Sequence, residues 1–364
     1  MFGDHRPAPG IGSGATHPQG GKGSVSHRRA LDRASARGKR FARCANPLNI
    51  SEASRVERAV QTPSRPVPRE AVLIVNAHSR RGQDLFRDAK RLLEEAGIRL
   101  IASHAVKDPR KLNGTVDKAV KDGAPMVIIG GGDGSLSCTI DFVVGRDCVF
   151  ALLPLGTANS FARTLGIPLD LEGAVKTIAT GQRRTIDLGK IDGDYFANCA
   201  AMGLSPMIGE GIPHRLKRYL GRIGYLSWAT WCLIRFRPFR LTVESENGKE
   251  SVWATEVRIA NGRFHGGVEL VEKADVDTGE LVVQAVIGRS KTKLVWNWIA
   301  SALKLRAREA TVEHFHGRTL RIETRPRQKI SIDGEVLART PVTASIAHCV
   351  IEVVVPAPET NPQD

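Results

Sequence analysis

Five consecutive apolar residues, Ala71-Val72-Leu73-Ile74-Val75, form the first readable element of the chain. An unbroken apolar run of this length predicts a strand covered on both faces, as in parallel sheets. It leads into a polar turn, Asn76–Gly82. From Gln83 to Ala96 the apolar residues Leu85, Phe86, Ala89, Leu92, Leu93 and Ala96 recur at helical spacing, and Gly97 closes the helix. Ile98–Ala102 predicts a second strand, and Leu112–Val120 a second helix ended by Gly123. A third strand begins at Val127 and a fourth spans Cys148–Leu153, while Phe161–Leu165 reads as a helical turn stopped by Gly166-Ile167-Pro168. Such alternation predicts an open α/β sheet, in which ligands bind at the carboxyl ends of strands. Asn76 and Asp133 fall at such ends.

From about Ile191 the pattern changes to short strand-like runs separated by turns: Tyr195–Ala200, Arg240–Glu244, Ala254–Ala260, Leu281–Ile287, Thr319–Glu323 and Ile351–Val355. They predict a β-rich second domain. Two helical stretches interrupt it. Arg222–Phe236 carries Trp228 and Trp231 among basic residues that include Lys217, Arg218, Arg235, Arg237 and Arg240. Lys293–Arg308 carries Trp296 and Trp298 and ends in Lys304, Arg306 and Arg308. Basic amphipathic helices of this kind rest on anionic membrane surfaces, although the same stripe also serves as core packing.

The strand starting at Val127 breaks into Gly130-Gly131-Gly132-Asp133-Gly134-Ser135, with four glycines and one aspartate in five positions. Glycine turns the main chain freely and brings backbone amides close to a ligand. A strand ending this way, followed by a helix from about Ser135, can cradle a phosphate or simply make a tight turn. A second loop of the kind, Pro154-Leu155-Gly156-Thr157-Ala158-Asn159-Ser160, follows the fourth strand. Thr157 or Asn159 can cap the next helix, or bond a phosphate oxygen or ribose hydroxyl. Two such loops point to a nucleotide. The chain has no Walker sequence and no dinucleotide fingerprint, so the phosphates are held differently. Asp333-Gly334, between Lys329–Ile332 and Val336–Ala338, is a hairpin signal.

Composition narrows the functional classes. The net charge of +15 is uneven: residues 1–69 hold thirteen Lys/Arg against four Asp/Glu. Nucleic-acid proteins spread such an excess over a folded face, so no nucleic-acid partner is expected. That segment, rich in Gly, Pro, Ser, Ala and Arg, reads as a disordered tail. It fits a dispensable extension or an early start codon better than an organelle transit peptide. The six cysteines form no CxxC pair, which predicts reduced thiols in a cytoplasmic setting. The alternating His314 and His316 suit one face of a strand rather than zinc. No apolar run reaches the roughly 18 residues of a membrane span.

Three motifs together resemble one family. Gly131–Ser135 is similar to the GGDGT signature of the diacylglycerol kinase catalytic superfamily, Pro154–Ser160 to its PLGTxND loop, and Ile332–Glu335 to its late DGE motif. NAD kinases share the first element, but the second points to the lipid branch, which includes bacterial lipid, sphingosine and ceramide kinases. The resemblance covers residues 70–356. It implies a Rossmann-like α/β domain (70–190), a β-sandwich domain (191–356) whose last strand returns toward the first, a short tail (357–364), and an active site in the cleft between the domains. It implies phosphoryl transfer from ATP, with Mg²⁺, to a lipid hydroxyl of the diacylglycerol or sphingoid type. The setting would be phospholipid metabolism at a peripheral, cytoplasmic membrane face, with a homodimer one open arrangement.

By the resemblance, Asn76 and Ser79 form the first phosphate-side turn. Gly131, Gly132, Asp133, Gly134, Ser135, Gly156, Thr157 and Asn159 hold nucleotide. Glu335 accepts the hydroxyl proton, with Asp333 the second choice and Asp133 beside Mg²⁺. Asp187 belongs to a charged network joining the domains, and Asp277 is the metal candidate, since Thr278 stands where the family has aspartate. Ala77 replaces a proline and Ser135 a threonine. Ser160 and Cys138 replace acidic residues, which leaves open a catalytically weak nucleotide- or lipid-binding homologue. A kinase of a soluble acceptor, as in NAD kinases, is the other alternative.

Overall fold

The structure, a computed structural model, describes residues 65–211, 224, 227–246, 248–289, 312–333 and 335–358. The tail expected over 1–69 lies outside these residues up to position 64, as do the helix expected over Lys293–Arg308 and the side chain of Glu335. The first half comprises β1 (Glu70–Asn76), α1 (Arg80–Glu95), β2 (Arg99–Val106), α2 (Leu112–Lys121), β3 (Met126–Gly131), α3 (Asp133–Ile140), β4 (Val149–Pro154), α4 (Ser160–Thr164) and α5 (Leu171–Thr180). Its strands pair in parallel in the order β4-β3-β1-β2. Every residue of β3 and β4 is buried, which is why both read as unbroken apolar runs.

The second half comprises β5 (Gln182–Ile191), β6 (Asp194–Phe196), β7 (Cys199–Gly203), α6 (Leu204–Gly211), β8 (Phe239–Ser245), β9 (Gly248–Ala260), β10 (Phe264–His265), β11 (Val268–Glu269), β12 (Leu281–Ile287), β13 (Val312–Gly317), β14 (Thr319–Arg325), β15 (Lys329–Ile332), β16 (Glu335–Arg339) and β17 (Val342–Val355). Residues 227–235 are also helical. Antiparallel pairing dominates here, and β17 joins the halves. It runs antiparallel to β14 and β5, then parallel to β4 with Glu352 opposite Val149. Val342 and Ala344 pack in the second-half core, and Ile351 and Val353–Val355 in the first.

Several boundaries move for identifiable reasons. Helix α1 starts at Arg80 because the Ser79 hydroxyl caps it, accepting from Gly82 N at 3.0 Å. Ser79 therefore acts as a cap where a phosphate-side role was expected. Helix α3 starts at Asp133, with Gly132 as its N-cap, and β2 continues to Val106.

The loop after β11 corrects the metal expectation. Asp277 pairs with Arg184, and Asp275 pairs with Arg263 and lies 3.8 Å from Arg184. The Thr278 hydroxyl lies 3.1 and 3.3 Å from the carbonyl oxygens of Asp275 and Glu280. Asp187, on β5, is buried; its Oδ2 accepts from Gly279 N at 2.8 Å and its Oδ1 from Cys349 N at 2.8 Å. Magnesium wants near-octahedral oxygen ligands and keeps several waters. Here guanidinium, amide and hydroxyl groups occupy those oxygens, so this loop does not fit a cation. Exhaustive dialysis against EDTA is therefore expected to leave the thermal midpoint unchanged. Asp187→Ala, which strands the buried Gly279 amide and the part-buried Cys349 amide, should cost about 3 kcal/mol in urea unfolding. A midpoint that falls on EDTA treatment and returns with Mg²⁺ would restore the metal.

Candidate active site

The carboxyl ends of β1, β3 and β4 deliver Asn76, Gly131 and Pro154 to one place. Asn76 Nδ2 donates to Ser135 Oγ at 2.9 Å, fixing the end of β1 to the first turn of α3. The hydroxyl retained at Ser135 makes that bond possible. A Cβ on Gly156 would lie 2.4 Å from the Gly132 Cα, and one on Gly131 2.6 Å from the Ser135 Cβ. The two loops thus touch backbone to backbone. Phe161 N donates to Asp133 Oδ1 at 3.3 Å, tying the start of α4 to the start of α3. Ser135 N donates to the Gly132 carbonyl at 2.9 Å, and ahead of it the Asp133 and Gly134 amides open the helix at its positive dipole end, an arrangement suited to phosphate.

The second loop is shaped from inside by Asn159. Its Oδ1 accepts from Gly156 N at 2.9 Å, and its Nδ2 donates to the carbonyls of Pro154 at 3.1 Å and Gly156 at 3.0 Å. It is buried, in the left-handed region at φ 48°, and makes no cap bond to α4. Both the capping and the ligand expectations for Asn159 give way to a loop-building role. Thr157 and Gly134, by contrast, are exposed. Ser160 is also turned inward, accepting from Gly267 N at 3.0 Å, so it anchors the β10–β11 turn where an acid was expected by family pattern. Cys138 Sγ stays within its own helix, 3.4 Å from the Ser135 carbonyl.

The β15–β16 turn reaches the same place. Ile332 pairs with Glu335, and Asp333 has φ 45°, the positive value that a tight two-residue hairpin requires. Asp333 Oδ2 accepts from Ala197 N at 3.0 Å and from Ser137 Oγ at 3.2 Å, and Oδ1 from Cys199 N at 3.2 Å and Asn198 N at 3.3 Å. Burial raises its carboxyl above the usual carboxylate range, and these four donors oppose that shift only in part. With four donors on its two oxygens, Asp333 docks the turn. The second-choice proton acceptor is thus held as a docking group for the turn. The Ser137 bond links α3 directly to the turn from which β16, and with it Glu335, begins.

Three groups lacked a sequence signal strong enough to single them out. Glu256 and Arg258 form a buried ion pair on β9, extended by Ser205 Oγ to Glu256 at 2.7 Å and by Arg258 Nη1 to Gln284 at 3.0 Å. The half-buried His265 lies near this pair and near Asp133. Burial first, then Arg258, lowers its basicity, while Glu256 and Asp133 oppose that shift. The available hint was two charges alternating with Val257 and Ile259 in an apolar strand.

Residues 70–191 match the diacylglycerol kinase catalytic domain, and residues 198–355 the YegS C-terminal NAD kinase beta sandwich-like domain. The probable lipid kinase YegS of Salmonella arizonae is 33% identical over 225 residues, spanning 60% of this chain and 75% of that protein. A probable lipid kinase YegS-like protein of Enterobacter sp. strain 638 is 32% identical over 203 residues, spanning 54% and 67%. The crystal structure of a diacylglycerol kinase from Bacillus anthracis strain Sterne shares the fold, with TM-score 0.63 over 81% of this chain and 97% of that one at 20% identity. The two domain matches cover most of the chain in the order of its two halves, and it therefore belongs to the diacylglycerol kinase catalytic-domain family of lipid kinases, among the members with a YegS-type β-sandwich domain.

Proposed function

We propose that this protein transfers the γ-phosphoryl group of MgATP to the hydroxyl of a membrane lipid of the diacylglycerol or sphingoid class. The observation that carries the reading is the Ser137–Asp333 bond, which holds the amide-bearing helix α3 against the hairpin that starts β16. Phosphoryl transfer is mainly a matter of positioning and of neutralising oxygen charge. The amides opening α3 receive phosphate oxygens, with Thr157 at the loop crown. Asp133 spends one oxygen on Phe161 N–H and is only half-buried, which fits a ligand for the nucleotide's Mg²⁺. Bound there, the ion would neutralise charge on the transferring phosphate. Asp333 fixes the turn, and Glu335 takes the hydroxyl proton.

The lipid half of the reading draws on residues 227–237. Trp228 and Trp231 stack with centroids 4.8 Å apart, and the Arg235 guanidinium lies 4.8 Å from the Trp231 ring. Trp231 is 44% and Ile234 70% exposed, with Arg235, Arg237 and Arg240 exposed nearby. Exposed tryptophan among cations suits an anionic bilayer surface. Among the described residues no helix is long and apolar enough to cross a membrane.

One observation favours a soluble polar acceptor instead: beside His265 and near Asp133 the chain buries a charged Glu256–Arg258–Gln284 network. Total lipid extract and soluble metabolite pools, each incubated with radiolabelled ATP, separate the two by which product carries label; the lipid is expected. In the same assay Glu335→Gln should fold normally and lose roughly 10²–10⁴-fold in rate. Near-wild-type turnover would remove Glu335 from its role. Co-sedimentation with anionic vesicles should weaken on the order of tenfold in Trp231→Ala/Arg235→Glu, through lost insertion and about 1 kcal/mol per cation. Equal binding by both proteins at low salt would exclude this surface.

A further inference from the structure

Away from the nucleotide helix, three side chains of different chemistry meet in line. His348 Nδ1 lies 2.7 Å from Asp187 Oδ1, and His348 Nε2 lies 3.4 Å from Cys349 Sγ. Asp187 is buried, His348 exposed and Cys349 half-exposed. Neighbouring residues of a regular strand send their side chains to opposite faces, so a His–Cys pair in β17 would ordinarily stay apart. Here the β17–β5 register shifts between Ala347 and Ile351, and Cys349 takes φ 53°. The irregularity turns the thiol back onto the imidazole. Asp187 holds it there, since the same Oδ1 accepts Cys349 N. Gly279 backs the ring: a Cβ at that position would lie 3.6 Å from His348 Nδ1.

The carboxylate determines the tautomer. With Nδ1–H directed at Asp187, a neutral ring presents its Nε2 lone pair to the thiol, so Sγ–H donates and Nε2 accepts. The same three residues lie close enough together to be weighed as metal ligands, but their mutual pairing argues against it. Asp187 occupies Nδ1, so an ion would meet only Nε2 and Sγ, whereas zinc sites use three or four protein ligands. Each ring nitrogen faces a different partner, which is the order of an oriented base beside a nucleophile.

We propose that Cys349 is a reactive thiol that reduces a small hydroperoxide, with His348 as the base and Asp187 as its orienting partner. Sγ attacks the distal peroxide oxygen; the S–O bond forms as the O–O bond breaks. The thiol proton passes through Nε2 to the departing oxygen, which leaves as water or an alcohol. Sulfur is oxidised by two electrons to a sulfenic acid and the peroxide is reduced by two. Cys148, Cys199 and Cys232 are buried and lie out of solvent reach.

The test treats the reduced full-length protein with limiting hydrogen peroxide and dimedone, and reads sulfenic acid at each cysteine by mass spectrometry. Cys349 should be labelled ahead of the half-exposed Cys138. His348→Asn should slow labelling at Cys349 on the order of 10²-fold, the scale of general-base assistance, while its circular dichroism and thermal midpoint stay near wild type. Should that variant not fold, His348→Gln makes the same comparison. Equal labelling rates with and without His348, or faster labelling at Cys138, would overturn the proposal. So would one equivalent of zinc that stays with the purified protein and protects the thiol. Cys349→Ser should abolish the label and keep lipid phosphorylation, which separates this site from the kinase reading.

Discussion

Between Gly132 and Gly156 two main chains lie against each other with no side chain between them. A Cβ at Gly156 would fall 2.4 Å from the opposing Cα, so this contact tolerates glycine alone. Everything in front of it depends on that closeness. It brings the amides opening α3 and the Thr157 loop to one mouth, and the supports come from behind. Asn159 fills the second loop with three hydrogen bonds, and Phe161, buried in the first-half core, roots the start of α4. A side chain of that size contributes about 1.5–3 kcal/mol by burial. The donors are thus fixed before any ligand arrives, which is the condition under which backbone dipoles are worth most to a developing charge.

A second constraint is that β17 serves two cores in one strand. Its early residues pack with the second half and its late residues with the first, and the break in register lies between them. At that break the chain needs an acceptor for a displaced amide, and the Asp187 carboxylate supplies it. The same carboxylate holds Gly279, while Arg184 and Arg263 neutralise the acids of the neighbouring loop. Protein donors thereby do the joining that a cation could otherwise do. An unpaired Asp187 in this setting would be expensive, which makes the register break a fixed feature of the strand.

How much of this was legible in the sequence follows from how local each feature is. Ala71–Val75 and Cys148–Leu153 read correctly because strands covered on both faces leave unbroken apolar runs. The hairpin between β15 and β16 read correctly because turn chemistry is local. Ser79 and Asn159 misled because a polar residue beside glycine looks the same whether it faces a phosphate or its own backbone; only the fold shows the hydroxyl on Gly82 N and the amide inside its loop. Asp277 misled for a longer-range reason, since its partner Arg184 lies 93 positions away. The Glu256–Arg258 pair was hidden because alternating charges in a strand ordinarily mark a solvated face, whereas this face is covered.

The division of labour at the late motif follows from counting acceptors. A carboxylate offers about four lone-pair sites, and Asp333 has donors on four, three of them backbone amides of residues 197–199. To take a proton it would have to give up one of those bonds in a buried place, at a cost of about 1–3 kcal/mol. That cost would be charged against every turnover, so chemistry at Asp333 is disfavoured by the same bonds that position it. The neighbouring acid of the motif stands at the first residue of β16, its backbone registered opposite Ile332. One acid is committed to geometry, and the proposed role in proton transfer falls to the other.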